Sequence, residues 1–212
     1  MTEKMAVKKK LFEEIQAHLL EDDAPSVYFN NICGKDIFRE EPFFLLSRLK
    51  EVPQSPKHHP EGSVWNHTML VVDEAARQKD KSGNPLAFMW AALLHDIGKA
   101  DTTSCEKGRI TAYNHERLGA RQAEDFLKIF VEDQALICHI TALIRWHMQI
   151  LFVVRSMQFA DIKGMLKDVS LEEIALLGYC DRMGRLNADR KTEEENLRIF
   201  TAKCRDFITE IR

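Results

Sequence analysis

The sequence lacks the material for a disulfide framework. Its five cysteines (Cys33, Cys105, Cys138, Cys180 and Cys204) are odd in number and show no CxxC spacing, which points to a reducing cytosol and leaves a zinc ribbon without support. It also lacks an excess of one charge. The formal net charge is −3 over 212 residues, which argues against a broad basic face for gripping nucleic acid while leaving a local one open. No apolar run is expected to approach the roughly 20 residues needed to cross a bilayer, and Met1–Lys10 is too charged for a secretory signal. A cytoplasmic location with no membrane partner is the expectation. Repeats, low-complexity tracts and long stretches of β alternation are missing too.

What is present is helical periodicity. Residues 4–21 form an amphipathic pattern with Leu11, Ile15, His18 and Leu19 on one face. Pro42, Pro53, Pro56 and Pro60 interrupt the next region, so only short helices fit there, around 36–50. Ser63 is a plausible N-cap for a helix running to about Gln78, and 79–85 is a turn. Residues 86–97 (LAFMWAALLHDI) are apolar all round and predict a central core helix, with Gly98 as its stop. A loop or short hairpin is predicted over 99–113, then helices at about 114–130, 133–148, 158–166, 171–187 and 191–211. Ser170 and Glu173 have capping-box spacing. The pattern predicts one all-α bundle of about six to eight helices, its core at about 25–190 and terminal helices appended.

Seven of the eight histidines fall between residues 58 and 147, so chemistry is sought there. His67 shares a helical face with Val64, Leu70 and Val71; a lone histidine in such a place is more often a satisfied core residue. His95 closes the most apolar helix and Asp96 follows it. Asp181 lies on the face of Ile174 and Leu177. A buried carboxylate without a cation or several donors costs several kcal/mol, and two histidines and two aspartates on core-facing sides are mutually expensive as separate accidents. One divalent cation accounts for all four together. His115, at a helix start, and His147, at a helix end, suit a second ion; pattern alone leaves them open between ligands and a capping or packed histidine. His58 and His59 sit in a proline-bounded loop, where a structural role and a place at a pocket mouth both fit. His139 reads as packing and Cys105 as incidental.

Leu94-His95-Asp96-Ile97-Gly98-Lys99 resembles the doublet that names the HD superfamily, and His67, His115, His147 and Asp181 complete its H…HD…H…H…D order. A closer likeness runs through Val52-Pro53-Gln54, His58-His59-Pro60-Glu61-Gly62 and Val64-Trp65-Asn66-His67-Thr68. It continues through Gly108-Arg109-Ile110, Asn114-His115-Glu116 and Asp181-Arg182-Met183-Gly184-Arg185. Over roughly residues 25–190 the chain resembles the HD region of bacterial CCA-adding tRNA nucleotidyltransferases. The Gly-Ser pair and DxD carboxylates of their polymerising head have no counterpart here, so CCA addition is not expected. The resemblance implies phosphoester hydrolysis on cyclic 2′,3′-phosphates, 2′-nucleotides or simple phosphomonoesters.

The same likeness implies that His67, His95, Asp96 and Asp181 hold one ion, and that His115, His147 and a bridging Asp96 hold a second. Imidazole-rich ligation favours Fe, Mn, Co, Ni or Zn, with Mg admissible. Asp96 and Lys99 are the candidate catalytic residues. Lys99, Arg109, Arg145 and Arg185 are candidates for gripping phosphate, with Lys107 and Arg182 as weaker ones. The implied partner is a small nucleotide or phosphoester, an RNA 3′ end being a second candidate; a homodimer through the C-terminal helix (Leu197, Phe200, Cys204, Phe207, Ile211) is open. Two alternatives stay open. One is a di-iron oxygenase built on the same six ligands. The other is a non-catalytic nucleotide- or RNA-binding module that keeps the metal for structure.

Overall fold

The computed structural model describes residues 2–210. It is helical apart from one small hairpin. In chain order the elements are α1 (Glu3–Glu21), α2 (Pro25–Ile32), α3 (Phe44–Ser47), α4 (Val64–Gln78), α5 (Pro85–Leu94) and α6 (Lys99–Thr102). The hairpin strands β1 (Thr103–Glu106) and β2 (Arg109–Ala112) follow, then α7 (His115–Lys128), α8 (Gln134–Trp146), α9 (Gln149–Val154), α10 (Ile162–Asp168), α11 (Leu171–Met183) and α12 (Arg190–Glu210). Ten of these helices have six residues or more among the described residues, above the six to eight expected. The surplus has local causes. Pro25 at the first helical position starts α2 where no regular element was foreseen, and the chain breaks and restarts at His147–Met148, which separates α9 from α8.

The all-apolar helix is central, as its sequence demands. Every residue from Ala87 to Leu94 is buried, and α5 packs against α1, α4, α8 and α11. Asn84 Oδ1 accepts from Ala87 N at 3.0 Å and Pro85 sits at the first position, so this end is capped without a charged side chain. Leu11, Phe12, Ile15 and Leu19 of α1 cover the far side, with Phe12 stacked on Trp90 at 4.6 Å between centroids. His18 stands at the margin of that face, paired with Asp22 at 2.8 Å and stacked on Tyr28. On α12, Phe200 and Cys204 are buried; Ile211, assigned to the same face, lies outside the described residues.

Three expectations need revision. The stretch Gln134–Val154 is, by length and composition, apolar enough to cross a bilayer, contrary to the reading that no run approached that length. Half of its most apolar window is buried in the fold, and the helix is interrupted inside it. The capping box at Ser170 is half formed. Ser170 Oγ accepts from Glu173 N, but the Glu173 carboxylate turns away to Ser82 Oγ and Gly83 N, each at 2.7 Å. Gly98 is not a left-handed stop, because its φ is −63°. It is there for space: a Cβ would overlap the His115 carbonyl oxygen and lie 2.6 Å from Gly119 N. The close approach of the loop after α5 to the start of α7 requires a residue without a Cβ at this position.

Candidate metal centre

Six side chains from five helices and the turns beside them converge. His67 comes from the middle of α4, whose N-cap Ser63 Oγ accepts from Asn66 N at 3.2 Å. His95 and Asp96 follow the last turn of α5, His115 opens α7, His147 caps α8 and Asp181 lies near the end of α11. All six are buried.

Local backbone geometry sets the ring orientations. His95 Nδ1 lies 2.9 Å from Ala92 O, His115 Nδ1 2.6 Å from Ala112 O and His147 Nδ1 2.7 Å from Ile144 O. In each case the ring donates to the carbonyl three residues back, so Nδ1 carries the proton and Nε2 presents a lone pair inward. His67 differs: its hydrogen-bonded nitrogen is Nε2, 2.9 Å from Asp181 Oδ1, while Glu61 Oε1 lies 3.0 Å from Nδ1 as an ion-pair contact without hydrogen-bond alignment. Glu61 Oε1 also holds His59 Nδ1 at 2.9 Å.

Those Nε2 atoms face Asp96. Its Oδ2 lies 3.3 Å from His95 Nε2 and 4.0 Å from His67 Nε2, while Oδ1 lies 3.4 Å from His115 Nε2 and 3.7 Å from His147 Nε2. One carboxylate thus turns one oxygen to each pair of imidazoles. Two groups able to hold a metal ion result, His67–His95–Asp96 and Asp96–His115–His147. Asp181 Oδ1 stands 2.9 Å from His67 Nε2, beside the first group.

The chemistry of this donor set fits a cation. Among the described residues, neither Asp96 oxygen, nor His95 Nε2, nor His67 Nδ1 has an aligned hydrogen-bond partner, although each is buried. His115 Nε2 and His147 Nε2 are 3.3 Å apart with both Nδ1 protons already donated, so two lone pairs oppose each other. Burial pushes the His115 pKa down to about 3, against the pull of Asp96, and burial likewise lowers that of His147. Burial works against ionisation of Asp96 and Asp181 as well. Lys99 and the neighbouring imidazoles outweigh it at Asp96, and His67 with Arg185 outweighs it at Asp181, so both carboxyls titrate well below the usual range. Burial opposes charge on His67 too, yet Asp181 and Glu61 together raise its pKa. At His115 and His147, imidazoles held neutral beside the ionised Asp96 carboxylate are what a divalent ion binds, whereas at His67 an ion would have to displace a proton held between Asp181 and Glu61.

The centre opens into a cleft of about 920 Å³. Asp96, His115, His147 and Asp181 line it, as do all four candidate phosphate-gripping residues, Lys99, Arg109, Arg145 and Arg185. Lys99 Nζ donates to Gln54 Oε1 at 2.8 Å and lies 2.7 Å from Asp96 Oδ2. Arg145 stacks over Trp146, its guanidinium carbon 4.5 Å from the ring centroid, and lies 3.7 Å from Glu116. The two weaker candidates are placed differently. Lys107 sits outside the cleft in the hairpin turn, with φ 49° beside Gly108 at φ 77°, the positive pair a tight two-residue hairpin requires. Arg182 lines the cleft but is buried in an ion pair with Glu193. His58 and His59 line the cleft, His139 is half-buried on α8, and Cys105 is exposed on β1.

Sequence reasoning missed Glu61, Gln54 and Arg155. Glu61 and Gln54 stood inside the quoted motif segments, but only the folded loop brings one to His67 and the other to Lys99. Arg155, past the end of α9, lines the cleft without any periodic signal.

A family model described as HD domain matches residues 64–174, more than half of the chain. The Multifunctional CCA protein of Alkalilimnicola ehrlichii is 30% identical over 198 residues, which cover 86% of this chain and 44% of the relative. That of Actinobacillus pleuropneumoniae serotype 5b is 38% identical over 109 residues, 49% of this chain and 24% of the relative. That of Aromatoleum aromaticum is 54% identical over 57 residues, covering 27% and 13% respectively. The chain spans less than half the length of these curated relatives.

Proposed function

Since the chain belongs to the HD domain family, we propose that it is a metal-dependent phosphohydrolase acting on a nucleotide or RNA-end phosphate. The observation that carries this reading is the Asp96 carboxylate, with one oxygen toward His67 and His95 and the other toward His115 and His147. His67, His95, Asp96 and Asp181 would hold one divalent ion; His115 and His147, with Asp96 shared, would hold a second. The imidazole-rich set favours Fe, Mn, Co, Ni or Zn over Mg. When bound, such ions supply an activated water and neutralise phosphoryl oxygens.

The remaining residues bind and orient. Lys99, tethered to Gln54, sets a cation beside Asp96 for a phosphoryl oxygen. Arg145, with its plane fixed on Trp146, and Arg109 and Arg185 elsewhere on the lining supply further positive charge for an anionic substrate. Glu61, 3.0 Å from His67 Nδ1, would accept a hydrogen bond from that nitrogen once Nε2 is given to an ion. The likeness to CCA-family proteins favours a nucleotide or RNA 3′ end as the phosphate's carrier.

The test is a panel of phosphomonoesters and of 2′,3′- and 3′,5′-cyclic nucleotides, with Mn, Co, Ni and Mg, on the unaltered chain and on Asp96→Ala. Metal-dependent turnover that disappears in Asp96→Ala with helical circular dichroism retained is expected. Full activity in Asp96→Ala overturns the assignment of the site. No turnover on the panel, with the spectrum of a mixed-valent di-iron centre in air, overturns hydrolysis in favour of oxidation.

A further inference from the structure

Three aromatic or thioether side chains stand exposed in the cleft. Tyr113 is 65% exposed, Phe159 51% and Met157 37%, and all three line the cleft that holds the centre. Phe159 is also held in place. Gln149, itself only 3% exposed and two residues beyond His147, donates from Nε2 to Phe159 O at 3.2 Å and accepts from Asp161 N at 2.9 Å. At the other end of the same segment, Lys203 Nζ donates to Val153 O at 3.0 Å and to Ser156 Oγ at 2.9 Å. Ser156 has φ 50°. Phe152 backs the exposed ring, 5.6 Å between centroids. The buried amide of Gln149 thus fixes the backbone at Phe159, whose ring stands exposed in the cleft.

Tyr113 is presented in a similar way from the other strand of chain. It sits between Ala112, whose carbonyl orients His115, and Asn114, which adopts the left-handed conformation at φ 60°. Its position is therefore tied to that of a candidate metal ligand. Arg109, Arg145 and Arg155 line the same cleft, as do Asp96 and Lys99. Exposed planar rings and cations lining one cleft with candidate metal ligands match a flat aromatic ligand that carries a phosphate.

We propose that Tyr113 and Phe159 form a nucleobase subsite, so that the substrate is a nucleoside phosphate, free or at the end of an RNA strand, rather than a base-free phosphoester. The proposal rests on the hydrolase reading for the place of the phosphate, but it is tested by binding. Base stacking on an aromatic side chain is lost on alanine substitution at a cost of roughly 5- to 150-fold in affinity.

The probes are adenosine 5′-phosphorothioate, which resists hydrolysis, ribose 5-phosphate, which lacks the base, and a short RNA ending in a 3′-phosphorothioate, each measured by calorimetry with Mn present. Tyr113→Ala and Phe159→Ala should each weaken adenosine phosphorothioate by that factor and leave ribose 5-phosphate unchanged, while Phe159→Trp keeps wild-type affinity. Equal loss for both adenosine phosphorothioate and ribose 5-phosphate, no loss for either, or no binding of adenosine phosphorothioate and RNA to the unaltered chain overturns the subsite. If RNA binds much more tightly than the mononucleotide, the base belongs to a strand end; the reverse makes it a free nucleotide. Base-dependent binding with no turnover of unmodified nucleotides sinks hydrolysis and keeps the subsite. Turnover that ignores both alanine substitutions does the opposite.

Discussion

Gly98→Ala adds one methyl group between the loop that carries His95 and Asp96 and the helix that begins with His115. The added carbon would overlap His115 O and lie 2.6 Å from Gly119 N, and both neighbours are backbone atoms that cannot rotate away. Relief to ordinary carbon contact at about 3.5 Å requires the loop and α7 to part by roughly 1 Å. Overpacking of this kind costs about 1–3 kcal/mol. For a chain of this size that is a melting-temperature loss of about 2–12 °C. The same movement draws His115 Nε2 away from Asp96 Oδ1, now 3.4 Å apart, whereas metal–ligand distances tolerate only about 0.2 Å. Thermal unfolding followed by circular dichroism reads the first effect, and calorimetric titration with Mn or Co reads the second. The expected result is a lower melting temperature together with selective weakening of the His115–His147 group. An unchanged melting temperature with unchanged metal affinity would refute the close-contact reasoning.

Glu61→Gln keeps the shape of the side chain but removes the carboxylate beside His67 Nδ1; metal affinity should fall about 10- to 100-fold with helix content intact, as read by competition with a chromophoric chelator. Metal at 100 times its dissociation constant should stabilise the fold by about 2.7 kcal/mol, or about 5–11 °C, and Asp96→Ala should show no such metal-dependent shift in a thermal scan. Arg182→Ala leaves Glu193 buried without its guanidinium, so urea unfolding should show a loss of about 3–5 kcal/mol. A loss under 1 kcal/mol would mean that the pair is not structurally important.

Much of this was legible beforehand because the signals were local. The all-apolar run at 86–97 predicted the central helix, and Ser63 marked the start of the His67 helix. His67, His95, Asp96 and Asp181 stood out as polar residues on apolar faces, and the structure buries all four together. Other features depend on contacts that periodicity does not encode. Glu61 meets His67 only because the 52–63 loop folds back, with Gln54 N donating to Gly62 O and Val64 N to Val52 O, both at 2.9 Å. Gly98 looked like a helix stop because glycine often is one, yet its role comes from α7, remote in the sequence pattern. Arg182 looked like a free cation near the site until Glu193 took it. Phe159 and Tyr113 lie in turns, where an exposed aromatic has no periodic neighbour to reveal its purpose.

The central claim is that the inward Nε2 atoms and the shared Asp96 carboxylate hold metal. Anomalous X-ray diffraction from crystals grown with Mn or Co tests it most directly. The account expects a peak bonded to the Nε2 atoms of His67 and His95 and to the Asp96 and Asp181 carboxylates, with any second peak between His115, His147 and the other Asp96 oxygen. A crystal with no anomalous peak among these residues, or with metal bound through Nδ1 instead, would contradict it.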